Sequence, residues 1–398
     1  MEYKRAQLNV LKSRMVEPRR RIQIIMGPRQ VGKSTLVGQF TEETDIPFDS
    51  FSADAVNRYD SSWIPNRWQE ARMKMDLRGD GERILIIDEV QKIDNWSEQV
   101  KAEWDADTRN RRNLKVILLG SSRLLIQKGL EESLSGRFET IKMGYWEWDE
   151  MNAAFGFSLQ QYIYFGGFPG LAPDIHDENR WRNLMEDSII SPVLTRDILE
   201  IEEIRNPALL RQVFELGCIE SAKELSMTKM QGTMNSGTVP TIKNYLDVLN
   251  KSMTVIPLQK YSPSPIKGKN SVPKMQVYNN AFRNRYGLYT FDEAMTDSTE
   301  WGRQVESAVG AHLANRAVLD GFELMYWRDE QKRECDYVLS KGQRLVAIEV
   351  KSGKADSILG FETFKRQYAE RIANAFIVGS EGLPLEDFFK IDLNKLFR

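Results

Sequence analysis

Short apolar runs separated by helix-length amphipathic stretches fill the first 145 residues of this chain. The run RIQIIM (21–26) ends at a glycine-containing loop and is followed by STLVGQF at helical spacing, which predicts the order strand, loop, helix. FDSFSAD (48–54), RILIIDE (83–89), LKVILLGSS (114–122) and FETIKMGY (138–145) supply four further strands, with helix-length segments between most of them. Strands alternating with helices predict an α/β fold, a parallel sheet in a three-layer arrangement with right-handed crossovers.

From about residue 151 the pattern changes. DSIISPVLTRDILEIEEI (187–204), PALLRQVFELGCIES (207–221) and TVPTIKNYLDVLNKS (238–252) read as helices, and MTVIPLQKY (253–261) reads as a strand. Helices followed by a β-wing suggest a winged helix-turn-helix, with SAKELSMTKMQGT (221–233) as its first helix and Thr238, Thr241, Lys243 and Asn244 heading the recognition helix; the alternative is a helical lid or protein-contact module, since the helix carries one lysine near its start and Asp247 behind it. SPSPIKGKNSVPK (262–274) has the composition of a linker or exposed loop. From Trp301 a second α/β pattern begins: one helix, three strands, the helix ILGFETFKRQYAERI (358–372) and the strand NAFIVGS (374–380). The expected domains are therefore 1–150, 151–270 and 271–398.

A length of 398 residues suits two or three cores, and a net charge of −2 argues against wholesale polyelectrolyte binding while leaving local patches such as Arg109, Arg111 and Arg112. With two cysteines, Cys218 and Cys335, and two histidines, His176 and His312, no Cys/His zinc cluster can be assembled, and both cysteines are expected as reduced packing residues. The N-terminus lacks an apolar signal core, and no run approaches the roughly 20 apolar residues of a membrane span, so a cytoplasmic protein with no membrane partner is expected.

Chemistry enters first at Gly27–Ser34, which fits G-x-x-x-x-G-K-[ST] between a strand and a helix. Backbone N–H groups of Gly27, Pro28's successors Arg29, Gln30, Val31 and Gly32, and the helix start at Lys33, Ser34 and Thr35 would cradle phosphates. In this pattern Lys33 reaches the β- and γ-oxygens and the Ser34 hydroxyl ligates Mg²⁺. The strand ILIIDE delivers Asp88 to the metal and Glu89 to the attacking water. LLGSS places Ser121 or Ser122 beside the γ-phosphate if its strand lies between the other two, and LSGRF offers Arg137 as an arginine finger for a neighbouring subunit, which implies a homo-oligomer; for each the alternative is a surface turn.

The second constellation lies in RECDYVLSKGQRLVAIEVKSG (333–353), which reads as a hairpin turning at Lys341 and Gly342. A two-residue loop sets Asp336 diagonal to Glu349 and a four-residue loop sets them face to face. Either register puts Asp336, Glu349 and Lys351 on one face with carboxylates about 5 to 8 Å apart, whereas a three-residue loop breaks the set. Upstream, Val305, Ala308, Val309 and Leu313 form the buried stripe of a helix, and Glu306 flanks it. Asp336 and Glu349 suit Mg²⁺, and Lys351 can orient or deprotonate a metal-bound water, which is phosphodiester-hydrolysis chemistry. The alternative is an ordinary cross-strand ion pair.

GPRQVGKSTL, ILIIDEVQKI, LLGSSRLLI, ESLSGRF and YFGGFPGL, in this order, resemble the prokaryotic AAA-type P-loop ATPases that join an N-terminal ATPase to a C-terminal domain of uncharacterised function. The resemblance spans nearly the whole chain and implies ATP as the nucleotide, with Lys33, Ser34, Asp88 and Glu89 in the roles above and Arg137 as the finger. The later pattern resembles the PD-(D/E)xK nuclease superfamily, which has a restriction-endonuclease-like fold, and assigns Glu306, Asp336, Glu349 and Lys351 to its four positions. The superfamily's proline before the aspartate is absent, since Cys335 stands there. Two readings follow: ATP turnover coupled to an Mg²⁺-dependent nuclease-like domain acting on DNA, or an ATP-dependent switch whose C-terminal domain binds nucleic acid or a protein without cleavage.

Overall fold

Ile22, Ile24 and Met26 fall on one side of an extended segment and Gln23 and Ile25 on the other, and all five are buried, as a strand covered on both faces requires. In the computed structural model, which describes residues 3–120, 133–199, 204–263, 271–353 and 358–398, this segment is β1 (Ile22–Met26) of a five-stranded parallel sheet. The other strands are β2 (Phe48–Ser52), β3 (Arg83–Asp88), β4 (Leu114–Gly120) and β5 (Phe138–Lys142), in the order β2-β3-β4-β1-β5. The helices of this part are α1 (Gln7–Val16), α2 (Lys33–Glu43), α3 (Trp63–Arg78) and α4 (Trp96–Arg109).

Two helices lie over each face. Ile22, Ile24, Leu85, Ile87, Val116 and Leu118 pack into one core with Trp68 and Ala71 of α3 and Val100 and Trp104 of α4. On the other face Arg14 of α1 donates to Gln23 Oε1 at 3.1 Å, Lys115 donates to the Met15 carbonyl at 2.6 Å, and α2 packs beside α1. The three-layer α/β expectation therefore describes this unit.

The chain divides into two compact units, Met1–Met143 and Gly144–Arg398. The first compact unit ends just after β5, a few residues before the expected boundary at 150, and the expected boundary at 270 lies within the second unit. The reason is local: the presumed linker SPSPIKGKNSVPK ends in β8, which packs into the core of the second unit.

The second unit opens with α5 (Trp148–Phe155), α6 (Leu159–Phe165), α7 (Glu178–Leu184) and α8 (Pro207–Ile219). Then follow β6 (Lys223–Glu224), α9 (Met227–Met234), α10 (Val239–Lys251), β7 (Val255–Leu258) and β8 (Lys274–Val277), with the strands in the antiparallel order β6-β8-β7. The segment 221–233, expected as one helix, starts as strand: Ser226 caps α9 by accepting the Lys229 N–H, so Lys223 and Glu224 are left outside the helix and pair with β8. Beyond α11 (Asn280–Arg285) and α12 (Phe291–Thr296) come α13 (Ser298–Asp320), β9 (Glu323–Arg328), β10 (Glu334–Lys341), β11 (Arg344–Lys351), α14 (Leu359–Gln367), β12 (Ile372–Gly379) and α15 (Leu385–Phe388). The sheet order is β12-β11-β10-β9, antiparallel except for β11 against β12.

Val305, Ala308, Val309 and Leu313 are buried as the helical stripe predicts, and Cys218 and Cys335 are free and buried. Among the described residues no helix is long and apolar enough to cross a membrane.

Candidate functional sites

In a parallel sheet the loops at the carboxyl ends of the strands gather at one edge, and the first site lies there. Gly27 follows β1, Asp88 ends β3, and β4 lies between these two strands, the condition on which a sensor role for the residues after it depends. Those residues, Ser121 and Ser122, lie outside the described residues. A Cβ on Gly27 would sit 2.1 Å from the Met143 carbonyl oxygen, so only glycine permits the loop to run this close to the end of β5. Gln30 at φ 57° and Gly32 at φ 87° turn the loop back on itself, and α2 begins at Lys33 with Ser34 and Thr35 in its first turn. Pro28 and Val31 are buried under the loop, Arg29 is half-buried, and Arg5 braces the Val31 carbonyl at 3.3 Å.

Lys33 is 7 % exposed and donates to the carbonyls of Gly27 at 3.0 Å and Pro28 at 2.7 Å, which holds its ammonium over the loop. The Ser34 hydroxyl donates to Asp88 Oδ2 at 3.0 Å. A hydroxyl and a carboxylate brought together at a helix start are hard oxygen donors, and they fit Mg²⁺ beside a phosphate group. Glu89 follows at φ 52°, a strained conformation for a non-glycine residue; its N–H donates to Asp88 Oδ1 at 2.8 Å, and Gln91 donates to its carboxylate. Gln91 and Arg5 have no signal in the motif itself, because each is found by its contact with a motif residue.

Arg137 is placed differently from the other nucleotide candidates. It precedes β5, at the amino-terminal edge of the sheet and so about 16 Å from the loop end by strand length, and it makes a two-pronged pair with Asp105 at 2.8 and 3.0 Å. This places it away from the loop at Gly27 of its own chain.

The second site is built on the β10–β11 hairpin. Lys341 pairs with Arg344, so the turn is Gly342–Gln343, one residue beyond the expected centre, with Gly342 at φ 61° as a type II′ turn requires. Tyr337 pairs with Ile348, and one step further Asp336 comes opposite Glu349, the face-to-face register. On its other side β10 carries a bulge in which Asp336 and Tyr337 together oppose Tyr326. A bulge of this kind re-aims its side chains.

Glu306, Asp336, Glu349 and Lys351 are brought together, with two residues that sequence reasoning missed. Lys351 Nζ lies 2.9 Å from Glu349 Oε1. Lys274, at the start of β8 and 1 % exposed, sets its ammonium 2.7 Å from Glu306, 3.0 Å from Glu334 and 3.7 Å from Asp336. Burial alone would lower the Lys274 pKa, but Glu306, Asp336 and Glu334 outweigh it and hold the amine charged. Burial pushes the Glu306 carboxyl up, against Lys274, to about 7, and burial with the adjacent Asp336 pushes Glu349 up to about 7.

The carboxylate oxygens do not converge on an open cation position. Asp336 Oδ2 accepts the Val350 N–H at 2.9 Å and Oδ1 faces Lys274; Glu349 Oε1 is held by Lys351, and its Oε2 lies 3.4 Å from the Asp336 N–H. Among the described residues no group of three or more His, Cys, Asp and Glu side chains is disposed to hold a metal. As arranged, these residues do not fit Mg²⁺.

The chain's similarities to known proteins follow the same division. Residues 19–152 match a family model described as an AAA domain, and residues 156–288 and 301–391 match models described as domains of unknown function, DUF8612 and DUF4143. An uncharacterized protein of Methanocaldococcus jannaschii is 24% identical over 344 residues, which cover 80% of this chain and 72% of that protein. The AAA match encloses the loop at Gly27, the Ser34–Asp88 pair and Glu89, and it supports an AAA-type ATPase in the first part of the chain.

Proposed function

We propose that this chain is an ATP-hydrolysing switch coupled to a nuclease-like C-terminal domain that holds DNA without cutting it. When bound, ATP and Mg²⁺ supply a charge-neutralised γ-phosphoryl group. Lys33 and the first turn of α2 bind the phosphates, Ser34 and Asp88 hold the metal's oxygen shell, and Glu89, fixed by Gln91, orients the attacking water and takes its proton.

The reading of the second unit rests on one observation: Lys274 occupies carboxylates, those of Glu306 and Asp336, that a nuclease would keep for its metal. Helix α13, strands β9 to β11, α14 and β12 run in the order expected of a restriction-endonuclease-like core, which supports that resemblance without implying cleavage. The elements α8 to β8 run as a winged helix does, and α10 presents Thr238, Lys243 and Asn244 to solvent while burying Ile242, Tyr245 and Leu246. Metal-dependent cleavage is the second reading, favoured by the meeting of Glu306, Asp336, Glu349 and Lys351. An oligomer that uses Arg137 on a neighbouring subunit requires that residue to leave Asp105.

The test is binding of a fluorescent duplex by the full chain, followed by anisotropy across a salt series. Micromolar or tighter binding at low salt is expected, and Lys243→Ala weakens it across sequences and lowers the salt slope by about one. Absence of binding at low salt would remove DNA from the proposal.

A further inference from the structure

We infer that Lys274 is the resident cation of the nuclease-like site: its ammonium takes, from within the chain, the place of a divalent ion, and removing it opens the cluster to metal. This rests on the nuclease-like reading of the second unit. Four carboxylates, of Glu306, Glu334, Asp336 and Glu349, meet here with two ammonium groups, of Lys274 and Lys351. A lysine is strongly hydrated in water, and one that is 1 % exposed keeps its charge only because the surrounding oxygens replace that hydration. The Tyr337 ring, with its centroid 5.0 Å from Lys274 Nζ, closes a further side.

The lysine is not a loose plug. Its strand, β8, is bound on both edges, Met275 pairing with Lys223 on one side and Pro257 on the other. Gln276 donates to the Ser307 carbonyl at 2.9 Å, and the Tyr337 hydroxyl lies 3.0 Å from Gln276 Oε1 and 2.9 Å from the Glu306 carbonyl oxygen. Gly310 lets α13 approach so closely that a Cβ there would meet Gln276 Oε1 at 2.2 Å. Withdrawing Lys274 would therefore break a buried polar network, so the ammonium is a fixed part of the site. Because β8 also belongs to the three-stranded sheet beside α10, the residue that fills the cluster comes from the segment assigned to DNA contact.

The test uses the nucleotide-free full chain and Mn²⁺ alone, with binding read by calorimetry and by the change in melting temperature. Wild type is expected to take up no Mn²⁺ that depends on Asp336. Lys274→Met, which keeps the length of the stem and removes the charge, should gain one site at least about tenfold tighter than any in wild type. Adding Asp336→Asn should erase the gain, and Lys274→Arg, which keeps a cation, should not show it. If Lys274→Met fails to fold by itself, Mn²⁺ should restore its melting transition while K⁺ at equal ionic strength does not. A folded Lys274→Met with no new metal site, or an unfolded one that Mn²⁺ does not rescue, overturns the inference. So does wild type that already binds Mn²⁺ through Asp336 as tightly as the variant. Metal gain in Lys274→Met by a chain that binds no DNA would uphold the inference and remove the DNA reading instead.

Discussion

Lys33→Ala is expected to lower ATP turnover by about a hundredfold to a thousandfold and to weaken nucleotide binding, whereas Glu89→Gln keeps binding and stalls turnover. The difference follows from position. Lys33 is held over the loop by two backbone carbonyls; in the proposed site it would carry the positive charge nearest the phosphates, so its removal would leave charge on the β- and γ-oxygens uncompensated in both ground and transition states. Glu89 sits after Asp88 with its backbone in the left-handed region and its carboxylate held by Gln91; in the proposed mechanism it would meet the water and not the phosphate, and its loss would act on the chemical step alone. Fluorescent-nucleotide binding and phosphate release, measured on both variants, separate the two effects. Normal affinity and normal turnover in both would remove the ATPase assignment.

Gly310→Ala is expected to destabilise the second unit by about 3 kcal/mol, through overpacking and the loss of buried hydrogen bonds. A Cβ at this position would lie 2.2 Å from Gln276 Oε1 and 2.3 Å from the Tyr337 hydroxyl, and both groups are buried and already hydrogen-bonded. They cannot move apart without leaving buried polar atoms unpaired. Gly38, also in a helix, has nothing within 4 Å of its Cβ position, so Gly38→Ala should be neutral or stabilise by up to about 1 kcal/mol. Denaturant unfolding of the two variants compares steric cost with helix propensity directly. Equal stabilities would show that α13 does not pack against β8 and β10 as described.

How much of this was legible in the sequence depends on the range over which each feature is decided. Strands of the first unit announce themselves because a strand covered on both faces must be continuously apolar, and the phosphate loop because its glycines, lysine and serine are adjacent in the chain. The face shared by Asp336, Glu349 and Lys351 was also readable, since strand alternation fixes it once the register is known. The turn was misplaced by one residue because Gly342 takes the first turn position and not the second.

Lys274 was hidden for a different reason. Its neighbours in sequence are proline, serine, glycine and lysine, which predict solvent, but its burial is decided by carboxylates 32, 60 and 62 residues downstream. Arg137 illustrates the same limit: LSGRF describes a cation near a strand, while the partner that holds it, Asp105, lies on α4. Ion pairs between distant segments leave no periodic trace, so the local pattern could supply the carboxylates of the second site but not the lysine paired with them.

The most direct measurement incubates the full chain with ATP, Mg²⁺ and an end-labelled DNA duplex and follows phosphate release, duplex retention and strand length in the same sample. The expected result is that ATP is hydrolysed, the duplex is retained and its strands keep their full length. Mg²⁺-dependent shortening of the duplex by wild type, lost in Glu349→Gln, would contradict this and make the second unit a working nuclease despite Lys274.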